Sequence, residues 1–506
     1  MSLVCSWRKM VTAVFIISVA CFCAKELFLG YSQLLDSSLT NRNIIGSFNN
    51  QGPYGGFVSV CVSVLIAYII EKKDDRCSRF YDRFFYCVVE CLSLSSILIL
   101  PSTMSRSSLL ALGLSLLLLV MKTERLKRKA MLYFKKNRWL AIIVFLLLGI
   151  GAYIIKKPSA NARFFMDEMS VKAMFSNSWK GVGQGNFGGV YGETQARFFK
   201  TQIDEYGTNE YDWNVINEHD RIMADCPDYP FNEFLFIGIE YGIVMMLLFV
   251  FVILYSIWLS LCRKTIWCYG LTAFAVFALF SYPLHHVKFQ ILFGLLIIGC
   301  MIDTNADSLN YNCKKYILNT SIVVLMAVYS LYSIPEKKKI KSIEIAWLKC
   351  MQWYKFEYYD YYVEECDKYL PFLKQNEDYL FSYGQALNRI GKYEKSDTIL
   401  KLGTKISSDP MFWNVMGNNS LAQGKYREAE ERYKHAFYMV PNRLYPLVLL
   451  AKLYYTERDT ARFLEMTDVV ENFVPKVESI RTEKLRAEIR ELKNSYLSEI
   501  ENKTDE

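Results

Sequence analysis

The chain has 506 residues, of which 52% are hydrophobic and 15% aromatic, and its formal net charge is +8. These averages combine two unlike parts, because apolar runs of membrane-span length follow one another up to about residue 333 and the sequence then becomes polar and periodic. A single soluble domain is therefore excluded, and no nucleic-acid partner is expected.

The apolar runs predict about nine transmembrane helices. The first could instead be a secretory signal, since Arg8 and Lys9 precede it, but no clear small-x-small cleavage site follows and a retained anchor is favoured. Several runs are short for a crossing, so one could be re-entrant. The predicted spans are 10–30, 55–70, 84–100, 107–121, 139–155, 232–261, 265–281, 288–302 and 316–333.

Basic loops set the predicted orientation, because Lys and Arg are retained on the cytoplasmic side. The loop 71–83 holds five basic residues, and the loop 122–138 reads KTERLKRKAMLYFKKNR. We therefore expect a cytoplasmic N-terminus. The segments expected on the outer side are 31–54, 101–106, 156–231, 282–287 and everything from 334 onward.

The long outer loop contains the stretch GVGQGNFGGV at 181–190, in which Gly183, Gly185 and Gly188 have the spacing of a dinucleotide-binding fingerprint. That fingerprint requires a buried strand before the glycines and a helix after them. The preceding VKAMFSNSWK shows no strand-like run, and the following segment forms a poor amphipathic helix pattern. A soluble nucleotide pool is also not expected outside the cytoplasm, so nucleotide binding is rejected.

The same loop holds arginines that could serve a phosphate ligand. A lone arginine at the end of a span, such as Arg106, is usually explained by snorkelling to the headgroups. Arg163, Arg197 and Arg221 follow in the loop, and guanidinium groups make bidentate hydrogen bonds to phosphate oxygens. Residues 156–231 nevertheless hold eight Lys and Arg against eleven Asp and Glu, which favours selected arginines over a general cationic surface.

The C-terminal third contains a repeat of 33 residues. Gly384 matches Gly417, and the Gly-Lys-Tyr that starts at Gly391 matches the one at Gly424. The second copy fits the tetratricopeptide pattern, and the flanks 343–374 and 446–474 look like degenerate copies. Its pattern positions are Trp413, Gly417, Ala429, Tyr433, Ala436 and Pro441.

We therefore predict an all-α chain: a polytopic membrane domain at 1–333, with the large outer loop 156–231, and an extracytoplasmic α-solenoid of tetratricopeptide-like helix pairs at 334–506. A solenoid groove holds a protein partner or packs on the membrane domain, and both alternatives stay open. No metal or cofactor is expected, since no metal-ligand spacing occurs. Cys350 and Cys366 are a candidate disulfide that the sequence cannot establish.

Three segments in this order resemble the O-antigen ligase and O-antigen polymerase superfamily of bacterial envelope glycosyltransferases. They are SRSSLLALGL, SNSWKGVGQGNFGGVYGETQARFF and YPFNEFLFIGIEYGIV, and the upstream NIIGSFNNQGPYGGFVSV is similar to members of the family as well. The resemblance covers roughly residues 20–300.

The resemblance implies an undecaprenyl-diphosphate-linked glycan donor, whose glycan passes to an acceptor on the outer face of the inner membrane. Arg106 matches the Ser-Arg motif of the family and Arg163 the arginine that opens the large loop. Both would bind the diphosphate, and Arg197 and Arg221 are further candidates. Gly181, Gly183 and Gly185 match the glycine turn, with a backbone-shaping role, while Asn232 and Leu235 match the motif after the loop.

One position departs from the family. Its ligases typically have a histidine just before that asparagine, and this chain has Phe231. Candidate replacements for the base are Glu233, His219 and Asp220, although stabilisation of a helix N-terminus is the simpler interpretation of Glu233. His285 and His286 also lie in an outer connection, where a surface role is the simpler interpretation.

The sequence thus favours a polymerase or ligase of envelope polysaccharide, in the bacterial inner membrane, with a glycan, lipid or protein acceptor. The alternatives are a protein O-oligosaccharyltransferase of the same superfamily, and a non-enzymatic scaffold or flippase that presents the repeats. Membrane lipids and a protein bound by the repeats are the other expected partners.

Overall fold

A computed structural model describes residues 2–36, 44–72, 80–124, 126–128, 157–176, 179–209, 211–302 and 338–504. Within these ranges the regular elements are helices and no strand occurs, which confirms the all-α prediction. The helices before residue 310 are α1 (Ser2–Leu35), α2 (Gln51–Lys72), α3 (Phe80–Ile99), α4 (Arg106–Lys122), α5 (Lys157–Ser176), α6 (Phe187–Tyr206), α7 (Glu218–Met223), α8 (Glu233–Glu240), α9 (Ile243–Arg263), α10 (Trp267–Ala278) and α11 (Val287–Met301). The later helices are α12 (338–355), α13 (Tyr359–Leu373), α14 (Glu377–Arg389), α15 (Tyr393–Gly403), α16 (Met411–Ala422), α17 (Tyr426–Met439), α18 (Tyr445–Glu457), α19 (Thr460–Asn472) and α20 (Ile480–Thr504).

Four described helices are long and apolar enough to cross a membrane, which indicates a membrane protein. They are Met10–Leu35, Gln51–Glu71, Phe80–Thr103 and Ile243–Arg263, and they correspond to predicted spans 10–30, 55–70, 84–100 and 232–261. The predicted spans 139–155 and 316–333 lie outside the described residues, as does most of the basic loop 122–138.

Other predicted spans have different bounds in the structure. The run 232–261 is not one helix, because the helix is interrupted between α8 and α9 at Gly242. The φ angle of Gly242 is 94°, a conformation that residues with a side chain disfavour. The runs 265–281 and 288–302 form α10, of 12 residues, and α11, of 15 residues. Such helices extend only about 18 to 23 Å, which is short of the roughly 30 Å hydrocarbon core.

The chain forms two compact units. Unit 1 comprises Met1–Asp167 and Pro230–Leu309, and unit 2 comprises Glu168–Tyr229 and Asn310–Glu506. The sequence-based division at residue 333 grouped the whole outer loop with the membrane domain, whereas most of that loop, 168–229, has its contacts within unit 2. The reason lies in the packing of α6, described below.

Helix α2 is the centre of unit 1, and it packs against α1, α3, α4 and α10. Its sequence is apolar on every side, as expected for a helix that other helices surround. Glycines allow its closest approaches: a Cβ at Gly56 would meet the ring of Phe277 at 2.3 Å, and one at Gly270 of α10 would meet Val64 at 2.4 Å. Small residues of this kind let membrane helices pack backbone to backbone.

Successive helices of unit 2 pack on one another from α13 to α20, and the predicted repeat is visible in their contacts. Gly391 and Gly424 adopt left-handed φ angles of 77° and 71° in the turns between paired helices. Gly384 lies against Leu400 of its partner helix, and Gly417 lies against Tyr433, which stands 33 residues after Leu400. The 33-residue repeat thus places equivalent glycines in equivalent positions.

Candidate functional site

Arg106 and Arg163 lie in unit 1, near enough for their charges to interact. Arg106 is the first residue of α4, and Arg163 lies in the second turn of α5. Burial lowers the pKa of Arg163, and the positive charge of Arg106 lowers it further, while Asp167 and Tyr282 oppose the shift. The charges of the two arginines selected from the sequence therefore interact in the structure.

Aromatic and backbone groups hold the guanidinium of Arg163. Its Nη1 donates to the carbonyl oxygen of Phe280 at 3.3 Å, and its Cζ lies 4.6 Å from the centre of the Phe231 ring. Phe231 in turn packs edge-on against Tyr282 at 5.4 Å. Phe231 thus serves as a cation–π support for the arginine.

Two histidines border the same aromatic cluster. The rings of His285 and His286 both lie 5.8 Å from Tyr282, and His285 also packs on Phe236 at 4.6 Å. Burial lowers the pKa of His285 to about 4, helped by the neighbouring His286, and burial together with the charge of Lys288 lowers the pKa of His286. Both imidazoles are therefore neutral at pH 7, and Nε2 of His286 is buried with no hydrogen-bond partner among the described residues.

Asp167 is a site residue that the sequence analysis missed. It stands four residues after Arg163, so the two side chains share one face of α5. Its Oδ1 is buried and accepts no hydrogen bond from the described residues. Burial raises the pKa of Asp167 to about 6, against the opposing charge of Arg163. The available sequence signal was an acidic residue one turn after the arginine that opens the loop.

Asn232 and Glu233 join α8 to the turn at 282–286. The Oδ1 of Asn232 accepts from the amides of Phe234 at 3.1 Å and Leu235 at 3.2 Å, so Asn232 caps the helix. Glu233 is 1% exposed, and its Oε2 accepts from the amide of Leu284 at 2.9 Å. Burial raises the pKa of Glu233 to about 7, although the bond from Leu284 opposes the shift. Glu233 is the first residue of α8, so it also lies where an acidic side chain stabilises a helix N-terminus.

The glycine-rich stretch belongs to unit 2. Gly181, Gly183 and Gly185 have φ angles of 79°, 93° and 79°, so the chain turns there in conformations that favour glycine. The segment before the turn includes α5 and no described strand, and therefore lacks the structure that a dinucleotide fingerprint requires.

The segment after the turn is a regular helix, contrary to the poor helical pattern of its sequence. Helix α6 packs on α17, and its glycines also approach closely the backbone that follows α15. A Cβ at Gly188 would lie 2.4 Å from the carbonyl oxygen of Ile406, and one at Gly189 would lie 2.3 Å from that of Lys405. The side-chain amide of Gln195 donates to the carbonyl of Met439 in the same interface.

The remaining predicted site residues also lie in unit 2. Arg221 is 4% exposed, donates through Nη1 to the carbonyl of Val474 at 2.5 Å, and stacks 4.8 Å from the ring of Trp213. Burial lowers the pKa of Arg221. Arg197 and His219 are exposed. Burial and the charge of Glu168 raise the pKa of Asp220, while His219 and Lys172 oppose the change.

The described residues contain no group of three or more His, Cys, Asp or Glu side chains that could hold a metal ion. Cys350 and Cys366 are free thiols. No family model matches the chain, and no curated protein matches its sequence. The resemblance to the O-antigen ligase and polymerase superfamily therefore depends on the ordered sequence motifs alone.

Proposed function

We propose that this protein is a membrane glycan transferase that uses an undecaprenyl-diphosphate-linked glycan as donor, and that it acts as a polymerase or ligase of envelope polysaccharide. The observation that supports it most is that Arg106 lies near enough to Arg163 for its positive charge to lower the pKa of Arg163. Arginines that serve only as interfacial anchors need not lie near each other, whereas a diphosphate site requires cations that bind the same ligand.

The charges of the arginine pair fit a dianionic ligand. Arg163 is half-buried near a second cation, and because Asp167 only opposes the resulting pKa shift, a further anion would be favourable there. Arginine keeps its charge under such conditions and can bind phosphate oxygens through two parallel hydrogen bonds. The Phe231 ring and the Phe280 carbonyl orient the guanidinium of Arg163 before the ligand arrives.

In the proposed reaction an acceptor hydroxyl oxygen attacks the anomeric carbon of the donor glycan. The bond between that carbon and the phosphate oxygen breaks, its electron pair remains on undecaprenyl diphosphate, and the hydroxyl proton passes to a base. Arg106 and Arg163 stabilise the charge that develops on the leaving diphosphate. Among the candidate bases of the sequence, Glu233 alone belongs to the same unit as the arginine pair, and its raised pKa of about 7 suits proton transfer near neutral pH.

The proposal includes the full topology expected from the sequence. The chain would cross the bacterial inner membrane about nine times with its N-terminus in the cytoplasm, and the repeats would form a periplasmic α-solenoid. The four candidate spans and the basic loop 122–138 support this arrangement. The donor and acceptor would then meet on the outer face, where no nucleotide cofactor is needed.

Glycan profiling of envelope extracts tests the proposal. Cells lacking the native gene would express wild-type protein, Arg106→Ala or Arg163→Ala at equal levels, and Arg427→Ala would be the control, because its side chain is 93% exposed on the repeats. We expect each site variant to remove long glycans and the control to retain them. Accumulation of single lipid-linked repeat units indicates a polymerase, and accumulation of long lipid-linked chains indicates a ligase.

A different result would support the scaffold alternative. If deletion of the chain alters the glycan profile while both arginine variants leave it unchanged, the protein acts through presentation of its repeats and the arginine pair has no role in transfer. Glycans missing from proteins alone would instead indicate transfer to serine or threonine.

A further inference from the structure

Helix α12 of unit 2 has one buried and one exposed apolar face. Trp347 on the buried face is 4% exposed, and its Nε1 donates to the hydroxyl of Tyr362 at 2.8 Å. Three large apolar side chains lie on the opposite side or at the end of the helix, and they are Ile345, Leu348 and Phe356, exposed by 48%, 54% and 72%. The spacing from Ile345 to Leu348 to Phe356, of three and eight residues, aligns them in one stripe, which we call the α12 stripe.

Helix α12 is strongly basic, and its lysines include ones on the same face as the α12 stripe. Residues 338–355 contain five lysines and a single acidic residue, Glu344, and all five lysines are exposed. They are Lys338, Lys339, Lys341, Lys349 and Lys355. A soluble helix usually faces water with charges of both signs, whereas a basic helix with an exposed apolar stripe is typical of helices that lie on anionic membranes.

The position of α12 in the chain places it close to a bilayer. The apolar run 316–333 is a predicted span, and only the four residues 334–337 separate it from the first residue of α12. Even a fully extended linker of that length reaches no more than roughly 20 Å. Trp353 on the same helix is 40% exposed, and tryptophan is a residue type that concentrates at membrane interfaces.

We propose that α12 is an interfacial helix that lies on the outer surface of the bilayer, with the α12 stripe in the boundary between headgroups and acyl chains and its lysines against anionic lipid phosphates. The bilayer, and no further protein, covers this face. The inference does not depend on the glycan-transferase proposal, because it uses neither the arginine pair nor any catalytic group.

Photocrosslinking of the full chain tests the proposal. p-Benzoylphenylalanine would replace Leu348 or Phe356, one at a time, in protein reconstituted into nanodiscs of phosphatidylethanolamine and phosphatidylglycerol. The control position is Arg427, which is exposed on the polar surface of α17. After irradiation, intact-mass spectrometry would measure the fraction of chains that gained one lipid. We expect at least about five-fold more lipid adduct at Leu348 and Phe356 than at Arg427.

Two results would overturn the proposal: lipid adducts no more abundant than at Arg427, or adducts to a protein, whether a second copy or another part of this chain. A second measurement needs no new side chain on the stripe. Brominated lipids should quench the fluorescence that Trp353 contributes, obtained as the difference between wild type and Trp353→Phe. Absence of that quenching would contradict the interfacial position even if a benzoylphenylalanine variant failed to fold.

Discussion

Lys288 and Glu26 form an ion pair between two helices that are far apart in sequence. The Nζ of Lys288, at the start of α11, lies 2.8 Å from Oε1 of Glu26 in α1. The Glu26 side chain is 2% exposed and also accepts from the hydroxyl of Ser47 at 2.6 Å and the amide of Ser47 at 3.1 Å, while Lys288 is 32% exposed. The pair therefore fixes the segment around Ser47 against both helices.

The difference in exposure within this pair predicts unequal effects of the two single substitutions. Lys288→Met leaves a carboxylate buried without its cation and should lower the free energy of unfolding by about 2–4 kcal/mol. Glu26→Gln leaves a lysine that water can reach and keeps an acceptor for Ser47, so its cost should be about 1 kcal/mol. Unfolding of the purified variants in detergent measures both. Equal losses would contradict this account, and the double variant should lose less than the sum.

Close packing of α6 makes a second prediction. Gly189→Ala would place a methyl group 2.3 Å from the carbonyl oxygen of Lys405, and the backbone on neither side can yield without disturbing a helix or its end. We expect a loss of about 1–3 kcal/mol in stability, detected as faster proteolysis of unit 2. Gly113→Ala in α4 is the matched control, since nothing lies within 4 Å of the added Cβ. Alanine favours helix, so the control should gain up to about 1 kcal/mol. If both variants lost stability, or both gained it, the steric explanation would be refuted.

Arg221 should be a structural residue of unit 2. Lysine cannot reproduce its stacking on Trp213 together with its bond to the Val474 carbonyl, so Arg221→Lys should cost about 1–3 kcal/mol in stability. The exposed Arg197 provides the comparison, and Arg197→Lys should change stability by less than about 0.5 kcal/mol. Thermal unfolding separates the two cases. If Arg221→Lys were as stable as wild type, its guanidinium would be available for a ligand instead.

Local sequence patterns predicted the features that depend on neighbouring residues. The 33-residue repeat identified the turns at Gly391 and Gly424, and hydropathy identified the four long apolar helices, because each signal lies within one short window. Hydropathy does not detect backbone conformation, so the break at Gly242 within an apolar run was missed.

Features that depend on distant residues could not be predicted in the same way. The glycines of α6 contact carbonyls more than 200 residues later in the chain, and no periodicity within the loop indicates that partner. The sequence resemblance selected Arg106 and Arg163, but the sequence could not show that their charges interact or that Phe231 supports one of them. Asp167 was missed because its unpartnered oxygen is a property of the packed structure.

Asp167 should make the stability of unit 1 depend on pH in a defined direction. Burial raises its pKa from 3.8 to about 6 in the folded chain, so between those values the folded state holds a proton that the unfolded state has released. Stability contributed by this group is therefore greatest below about pH 4, falls as the pH rises through about 6, and stays low above it.

Asp167→Asn removes this dependence and tests its sign. We expect the unfolding temperature of the variant to be equal to or lower than that of wild type near pH 4, and higher than that of wild type above about pH 6. The quantity to compare is the difference in unfolding temperature between the two proteins at each pH. The lowered pKa of His285 makes the stability of both proteins rise between about pH 4 and the ordinary pKa of histidine, and the difference removes this shared effect. Glu205→Gln, at an exposed position, controls for the loss of one charge. A wild-type advantage that grows with pH would show that the Asp167 carboxylate gains a favourable partner when ionised, and would contradict its burial as the dominant cause.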